Sequence, residues 1–286
     1  MTDKSLTYNL NRSESEMVDT LYNELFSRNI GVFSEAEQEK LQHAKIAIAG
    51  VGGVGGLLAE RLIRLGVGRL RINDPGNFEK SHFNRQFGSS MLSLNDNKAE
   101  SVFSQIKDIN PKAQIEYITT GIRTNDDAIN FVRDCDLIID EMDFGMFRHS
   151  IWLQRAARQA NLHYLFAYAI GFGALAVIFG PKGMTLEEYD NLPPGDGNPL
   201  EEIKIPLERV LPIIPSYSPI ATHEALKKID IDSISLPSLS IGVGLASILA
   251  ANEAANIILR RREIAVAPSY TYIDLLDRKF VVGKIS

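Results

Sequence analysis

Apolar positions along the chain alternate between two rhythms: short continuous runs of strand length, and stretches spaced three or four apart. Residues 45–49, Lys-Ile-Ala-Ile-Ala, form the first run. It stops at Gly50-Val51-Gly52-Gly53-Val54-Gly55-Gly56. Leu57, Leu58, Leu62 and Leu65 then fall at helical spacing, and Gly66 ends that helix. Leu70-Arg71-Ile72-Asn73 reads as a second strand ending at Asp74. Upstream, residues 1–11 read as a frayed tail. An amphipathic helix follows, with Met17, Leu21 and Leu25 on one face. Ser34-Glu35-Ala36-Glu37 is a capping-box pattern that predicts a short helix to about His43. Residues 1–44 therefore read as an N-terminal helical arm.

Downstream, Asn95 or Asp96 caps a helix that reaches Ile109 and is stopped by Pro111. Residues 114–119 alternate like a strand. Thr124 caps a helix ending near Asp134, and Leu137-Ile138-Ile139 is a buried strand ending at Asp140. A helix over about 146–160 precedes strands at 163–169 and 174–179. Such alternation predicts an α/β fold: a Rossmann-like, mostly parallel sheet with helices on both faces. Residues 181–237 break the pattern and hold most of the 12 prolines. A connection this long is functional or mobile, here a candidate cover for substrate. A helix at 239–260 and strands at 271–275 and 279–282 close a single domain, 45–286, extended by C-terminal antiparallel strands.

Composition narrows the function classes. With 45% hydrophobic residues among 286, the chain can build a substantial core. A net charge of −6 gives no global attraction to DNA or to an anionic membrane. Cys135 is the one cysteine, so neither an intrachain disulfide nor a thiolate zinc cluster can form. That fits a reducing cytoplasm, and the polar N-terminus does not read as a signal peptide. Cys135 precedes a buried strand and reads as a core residue rather than a nucleophile. Residues 239–259 could mimic a membrane span. Asn252, Glu253 and Asn256 would be costly in lipid, so the segment reads as a buried or interface helix.

Gly50, Gly52 and Gly55 satisfy G-x-G-x-x-G between a strand and a helix. The first allows the tight turn, the second lets phosphate approach the backbone, and the third lets helix and strand pack closely. Asp74 follows about 20 residues on, where a carboxylate can accept from ribose hydroxyls. This pattern says adenine nucleotide, with NAD and ATP both open, or a turn that serves packing alone. Arg85, Gln86 and Lys98 tilt the reading to ATP. Moving charge onto departing pyrophosphate needs fixed cations, Arg as a bidentate fork and Lys as a point charge. The plainer alternative for both is a solvated surface cation. Asp143, just beyond the strand ending at Asp140, could hold Mg²⁺ at the carboxyl edge of the sheet or cap a helix. Arg148 follows within about one helical turn.

Taken in order, Gly50-x-Gly52-Gly53-x-Gly55, Asp74, Asn84-Arg85-Gln86, Lys98, Ile109-Asn110-Pro111, Asp143 and Arg148 resemble the ThiF/MoeB/HesA family of ubiquitin-activating-enzyme-like adenylyltransferases. The resemblance covers residues 22–180, and Tyr272-Ile273-Asp274-Leu275 resembles the closing sheet. It implies ATP-dependent adenylation of a carboxylate. The favoured substrate is the C-terminus of a peptide or of a small ubiquitin-like or sulfur-carrier protein. It further implies that Gly50, Gly52, Gly53, Gly55, Asp74, Asn84 and Gln86 bind the nucleotide. Arg85 and Lys98 would hold phosphates, and Asp143 would coordinate Mg²⁺. An arginine from the N-terminal helix, best matched by Arg28, would act across a homodimer. His82 and Phe144 stand where relatives usually carry Asn. The C-x-x-C pairs that hold zinc in many relatives are missing, as is a loop cysteine for a thioester, so the acyl group would pass to an external sulfur or amine donor. The rivals are cyclisation of a modified tRNA nucleoside, with Arg260, Arg261 and Arg262 as an RNA-binding patch, an NAD-binding oxidoreductase, and a non-catalytic nucleotide-binding protein.

Overall fold

A computed structural model describes residues 14–143, 145–191, 213, 215, 217 and 237–285. Strand β1 (Lys45–Ala49) is buried at every position. It lies between β2 (Arg69–Asn73) and β4 (Leu137–Asp140), parallel to both. A strand with partners on both edges and helices on both faces has no wet side, which is why its apolar run is continuous. With β3 (Gln114–Ile118), β5 (His163–Ile170), β6 (Gly173–Phe179), β7 (Ser269–Asp274) and β8 (Lys279–Lys284), the order is β3-β2-β1-β4-β5-β6-β7-β8. The sheet is parallel from β3 through β5 and antiparallel from β5 through β8. Strand order reverses beside β1, so a crevice opens there at the carboxyl ends of β1, β2 and β4.

Helix α1 (Glu14–Phe26) leads into α2 (Glu35–His43), whose Ser34–Glu37 capping box forms as expected. Helices α3 (Gly53–Leu65) and α4 (Lys98–Ile109) share one sheet face with the long C-terminal helix, here α8 (Ser240–Leu259). The other face carries α5 (Asn125–Val132), α6 (Phe147–Gln159) and the short α7 (Leu186–Tyr189). Helix α8 packs against α3, β5 and β6. It is long and apolar enough to span a membrane, yet half of its most apolar window is buried in protein. Glu253 is tolerated in this apolar helix because Arg262 Nη2 donates to both its carboxylate oxygens, at 2.5 and 2.6 Å. Arg261 likewise donates to Glu37 on α2, at 2.6 and 2.8 Å. Two of the three arginines proposed as an RNA patch are thus committed to carboxylates.

Three expectations need correction. In α1 the buried face carries Tyr22 and Phe26, whereas Leu25 is 42% exposed and Leu21 only half-buried. The Tyr22 and Phe26 rings meet at 4.6 Å over the Gly66 turn, where the Tyr22 hydroxyl donates to the Gly66 carbonyl at 2.6 Å. An amphipathic tyrosine thus wins over aliphatic residues because the receiving surface offers a carbonyl. Tyr22→Phe should lower stability by about 1–2 kcal/mol in urea unfolding, since Gln38 Nε2 also loses its acceptor. Helix α4 is capped by Asn97, whose side chain accepts from the Glu100 N–H. Asn95 takes a left-handed conformation, φ 73°, and the Asp96 carbonyl is drawn to the Phe78 N–H. Finally, α6 begins at Phe147 with Met146 as its N-cap, so Asp143 does not cap it.

Candidate functional site

The glycine turn closes tightly. Gly50 adopts φ +88°, and its N–H donates to the Asn73 carbonyl at 2.7 Å. A β-carbon at Gly50 would strike the Glu141 backbone, and one at Gly55 would strike the Gly50 carbonyl oxygen. Only hydrogen fits at either place, so α3 can start within a few residues of the strand end. Gly52, the N-cap of α3, offers no side-chain oxygen to the first-turn N–H groups. These donors and the helix dipole remain available to an anion.

Asp74, at the end of β2, is buried and accepts from the Val51 N–H at 3.0 Å and from the Gly76 N–H at 2.8 Å. Burial pushes its carboxyl up, while Lys98 and those two N–H groups pull it back. Both oxygens keep an open lone-pair direction for a hydroxyl donor. Lys98, the first residue of α4, is also buried. Its Nζ and the Asp74 carboxylate close on Gly76 from two sides, 3.4 and 3.1 Å from where a β-carbon there would lie. Asn97, overlooked as a site residue, locks this corner. Its amide donates to the carbonyls of Asp74 and Gly76, at 3.1 and 3.2 Å, while its oxygen caps α4. Its position immediately before a charged helix start was the available sequence signal.

The segment 81–87 folds over the same turn. Gln86 is buried, with Nε2 3.7 Å from the β-carbon position of Gly52, and its Oε1 is buried without a hydrogen-bond partner. The Gln86 amide thus keeps hydrogen-bonding capacity beside the glycine turn. Arg85 lies with Cγ 3.8 Å from the β-carbon position of Gly53. Its guanidinium turns back to the Ser81 carbonyl at 3.1 Å and Asn84 Oδ1 at 2.8 Å. Asn84 donates to the Ser238 carbonyl at 3.0 Å, so it joins this segment to the start of α8. His82 Nδ1 accepts from the Glu79 N–H at 3.0 Å, which leaves the ring proton on Nε2. Burial and Lys98 lower its pKa, so the ring is neutral at pH 7.

Asp143 is exposed at the exit of β4. It follows β4 directly, at the same carboxyl edge of the sheet as Asp74 at the end of β2, and its charge acts on Asp74 and His82. Asp140 lies deeper, buried, accepting from the Tyr164 hydroxyl and the Met142 N–H. Among the described residues no three His, Cys, Asp or Glu side chains gather as a metal site. A lone carboxylate still fits Mg²⁺, which takes one or two carboxylates and completes its shell with water and phosphate oxygens. Phe144 lies outside the described residues. Arg148 sits over the Trp152 ring at 5.9 Å.

One predicted residue lies elsewhere, and Cys135 sits in the core as expected. Arg28 is exposed in a 3₁₀ turn, Ser27–Asn29, whose Asn29 donates to the Leu65 carbonyl at the C-terminal end of α3. The 13 residues of α3 separate it from the phosphate turn by about 20 Å. Arg28 is therefore not part of the site of its own chain. Cys135 is buried, and burial pushes its thiol up to about 11, which suits a core position and not a nucleophile.

The chain is 34% identical over 90 residues to a tRNA threonylcarbamoyladenosine dehydratase of Bacillus subtilis, covering 32% of this chain and 35% of that protein. It is 27% identical over 106 residues to a sulfur carrier protein adenylyltransferase of Thermus thermophilus, covering 37% of this chain and 39% of that protein. The matched stretches thus span well under half of these curated relatives. Among solved structures, Escherichia coli MccB with ATP superposes with a TM-score of 0.69 at 18% identity, covering 96% of this chain and 80% of that one, which is a likeness of fold. The model of the ThiF family matches residues 26–285, nearly the whole chain, and the chain belongs to the ThiF family.

Proposed function

We propose that this protein adenylates a carboxylate with ATP, releasing pyrophosphate and leaving an acyl-adenylate. The favoured substrate is the C-terminus of a peptide or of a small ubiquitin-like or sulfur-carrier protein. The observation that carries the reading is the meeting of buried Asp74 and Lys98 at Gly76, with Gln86 beside Gly52 in the glycine turn and Asp143 at the same sheet edge. A dinucleotide site needs the glycine turn and the acid; a buried lysine beside them suits the greater charge of a triphosphate.

In this reading Asp74 holds the ribose hydroxyls, and the α3 amides with Gln86 hold phosphate oxygens. A substrate carboxylate oxygen attacks the α-phosphorus, the bond to the bridging oxygen breaks, and pyrophosphate leaves with its electron pair. No general base is needed, because the nucleophile is already an anion at neutral pH. Lys98 offsets charge developing on the phosphates, and Arg85 joins it once its guanidinium swings from Ser81 toward the turn. Asp143 would hold Mg²⁺, which supplies further neutralisation of phosphate charge. Arg28 could serve only a partner's site, so its role depends on a homodimer. The acyl group then passes to an external sulfur or amine donor.

Cyclisation of a modified tRNA nucleoside is the second reading, supported by the name of the Bacillus subtilis relative. The pairing of Arg261 with Glu37 and of Arg262 with Glu253 weakens the patch that would hold RNA phosphates. Exchange of labelled pyrophosphate into ATP, scanned over free-carboxylate peptides, sulfur-carrier proteins and tRNA, should respond to a peptide or carrier protein. Exchange stimulated by tRNA alone would overturn the substrate assignment, and no exchange with any class would overturn adenylation itself.

A further inference from the structure

Asp274 is 1% exposed at the end of β7, and no step above uses it. Its Oδ2 accepts from two phenols, Tyr217 and Tyr272, both at 2.8 Å. Its Oδ1 accepts from the Asp277 N–H at 2.8 Å. Burial alone would push this carboxyl up, but the donors around it hold it below the usual carboxylate range, so it is ionised. A buried carboxylate with so many donors is built for a purpose beyond closing the β7–β8 turn, which the Asp277 N–H alone would serve.

The informative donor is Tyr217. It lies between α7 and α8 in the chain, far from Asp274 in sequence. Its hydroxyl gives its proton to Asp274 and accepts from the Phe172 N–H at 2.9 Å, in the turn joining β5 to β6. Gly171, φ +58°, leaves space for the Tyr217 ring; a β-carbon there would sit 2.9 Å from it. Tyr217 and Phe172 rings meet edge to face at 5.6 Å. This corner is next to the nucleotide crevice. The Gly171 carbonyl presses on Gly242 in the first turn of α8, and the neighbouring Val243 lies 3.3 Å from the β-carbon position of Gly53 in the phosphate turn. The β5–β6 turn also stands at the carboxyl edge of the parallel strands, where ligands of such sheets bind.

We propose that Asp274 and Tyr217 are positioning residues for the acyl substrate: the buried carboxylate fixes the Tyr217 hydroxyl on the Phe172 amide, and so sets the wall along which the reacting carboxylate reaches the α-phosphate. This rests on the adenylation reading. The pair touches neither nucleotide nor reacting atoms, so its loss acts on the carboxylate substrate and spares ATP.

Tyr217→Phe is the sharper probe, because the ring and its contact with Gly171 remain; Asp274→Asn is the companion. Hydrogen–deuterium exchange needs no substrate. In Tyr217→Phe, peptides covering residues 170–173 should exchange about tenfold faster, as the Phe172 N–H loses its acceptor. Unchanged protection would overturn the tie. Steady-state kinetics then use the peptide or carrier protein that supports exchange in the unaltered enzyme. KM for that substrate should rise about tenfold in Tyr217→Phe, with KM for ATP changed less than about twofold. Equal rises in both KM values, or neither, would overturn positioning. Absence of exchange in the unaltered protein would instead sink the adenylation reading, a failure visible before any variant is made.

Discussion

Asp143→Ala is expected to lower pyrophosphate exchange by about 10²–10³-fold, the scale seen when one preorganised electrostatic contact to a reacting centre is removed. The side chain is exposed, so its loss should leave thermal stability unchanged within about 0.5 kcal/mol. Affinity for α,β-methylene ATP measured with EDTA should match that of the unaltered protein, because without metal the nucleotide rests on the α3 amides, Asp74, Gln86, Arg85 and Lys98, none of which the change touches. With Mg²⁺ present, the unaltered protein should gain affinity and the variant should not. A variant that exchanges pyrophosphate within about threefold of the unaltered rate would remove Asp143 from the reaction. Asp140 could not take its place, since it is buried and bound by Tyr164 and Met142.

Gly55→Ala should be the most damaging single-methyl change. The added carbon would be forced into the Gly50 carbonyl oxygen, with Glu141 Cβ only 3.2 Å away on another side. These neighbours directly follow β1 and β4, both buried at every position, and cannot retreat without moving those strands. Overpacking against backbone should cost at least about 3 kcal/mol, read as a lower urea midpoint, and nucleotide binding should be lost with it. Gly56→Ala is the control, because its nearest contact is a looser 3.1 Å and the next is an adjustable Phe87 side chain. Equal stability of Gly55→Ala and the unaltered protein would show that the strand–helix join is not the close contact described above.

Much of the fold was readable because the strongest signals are local. Residues 45–49 must form a buried strand, the glycines must make a turn, and Ser34 with Glu37 must start a helix; each depends on a few adjacent residues. Gly50, Gly52, Gly55 and Asp74 could be chosen for the same reason, since the strand–turn–helix order predicts their placement at one sheet edge, whereas Gln86 was named through the family resemblance and Lys98 through that resemblance and the charge of a triphosphate. The errors came where distant surfaces decided. Nothing within Glu14–Phe26 announces that its docking partner is the carbonyl of Gly66, so aliphatic spacing favoured Leu21 and Leu25 over Tyr22 and Phe26. Asn95, Asp96 and Asn97 are all good caps, and only the pull of Phe78 on the Asp96 carbonyl left the role to Asn97.

Sequence alone therefore determined the order of elements, the covered parallel sheet and the tight glycine turn, which follow from periodicity and from glycine's missing side chain, acting over short stretches. The family was legible through the ordered motif set from Gly50 to Arg148. The tertiary structure decided which charges face which. It brought Lys98 and Asp74 together at Gly76, carried Arg28 to the far end of α3, committed Arg261 and Arg262 to carboxylates, and set Tyr217 on Asp274, 57 positions away. Long-range pairings of this kind depend on how layers pack and leave no period in the sequence.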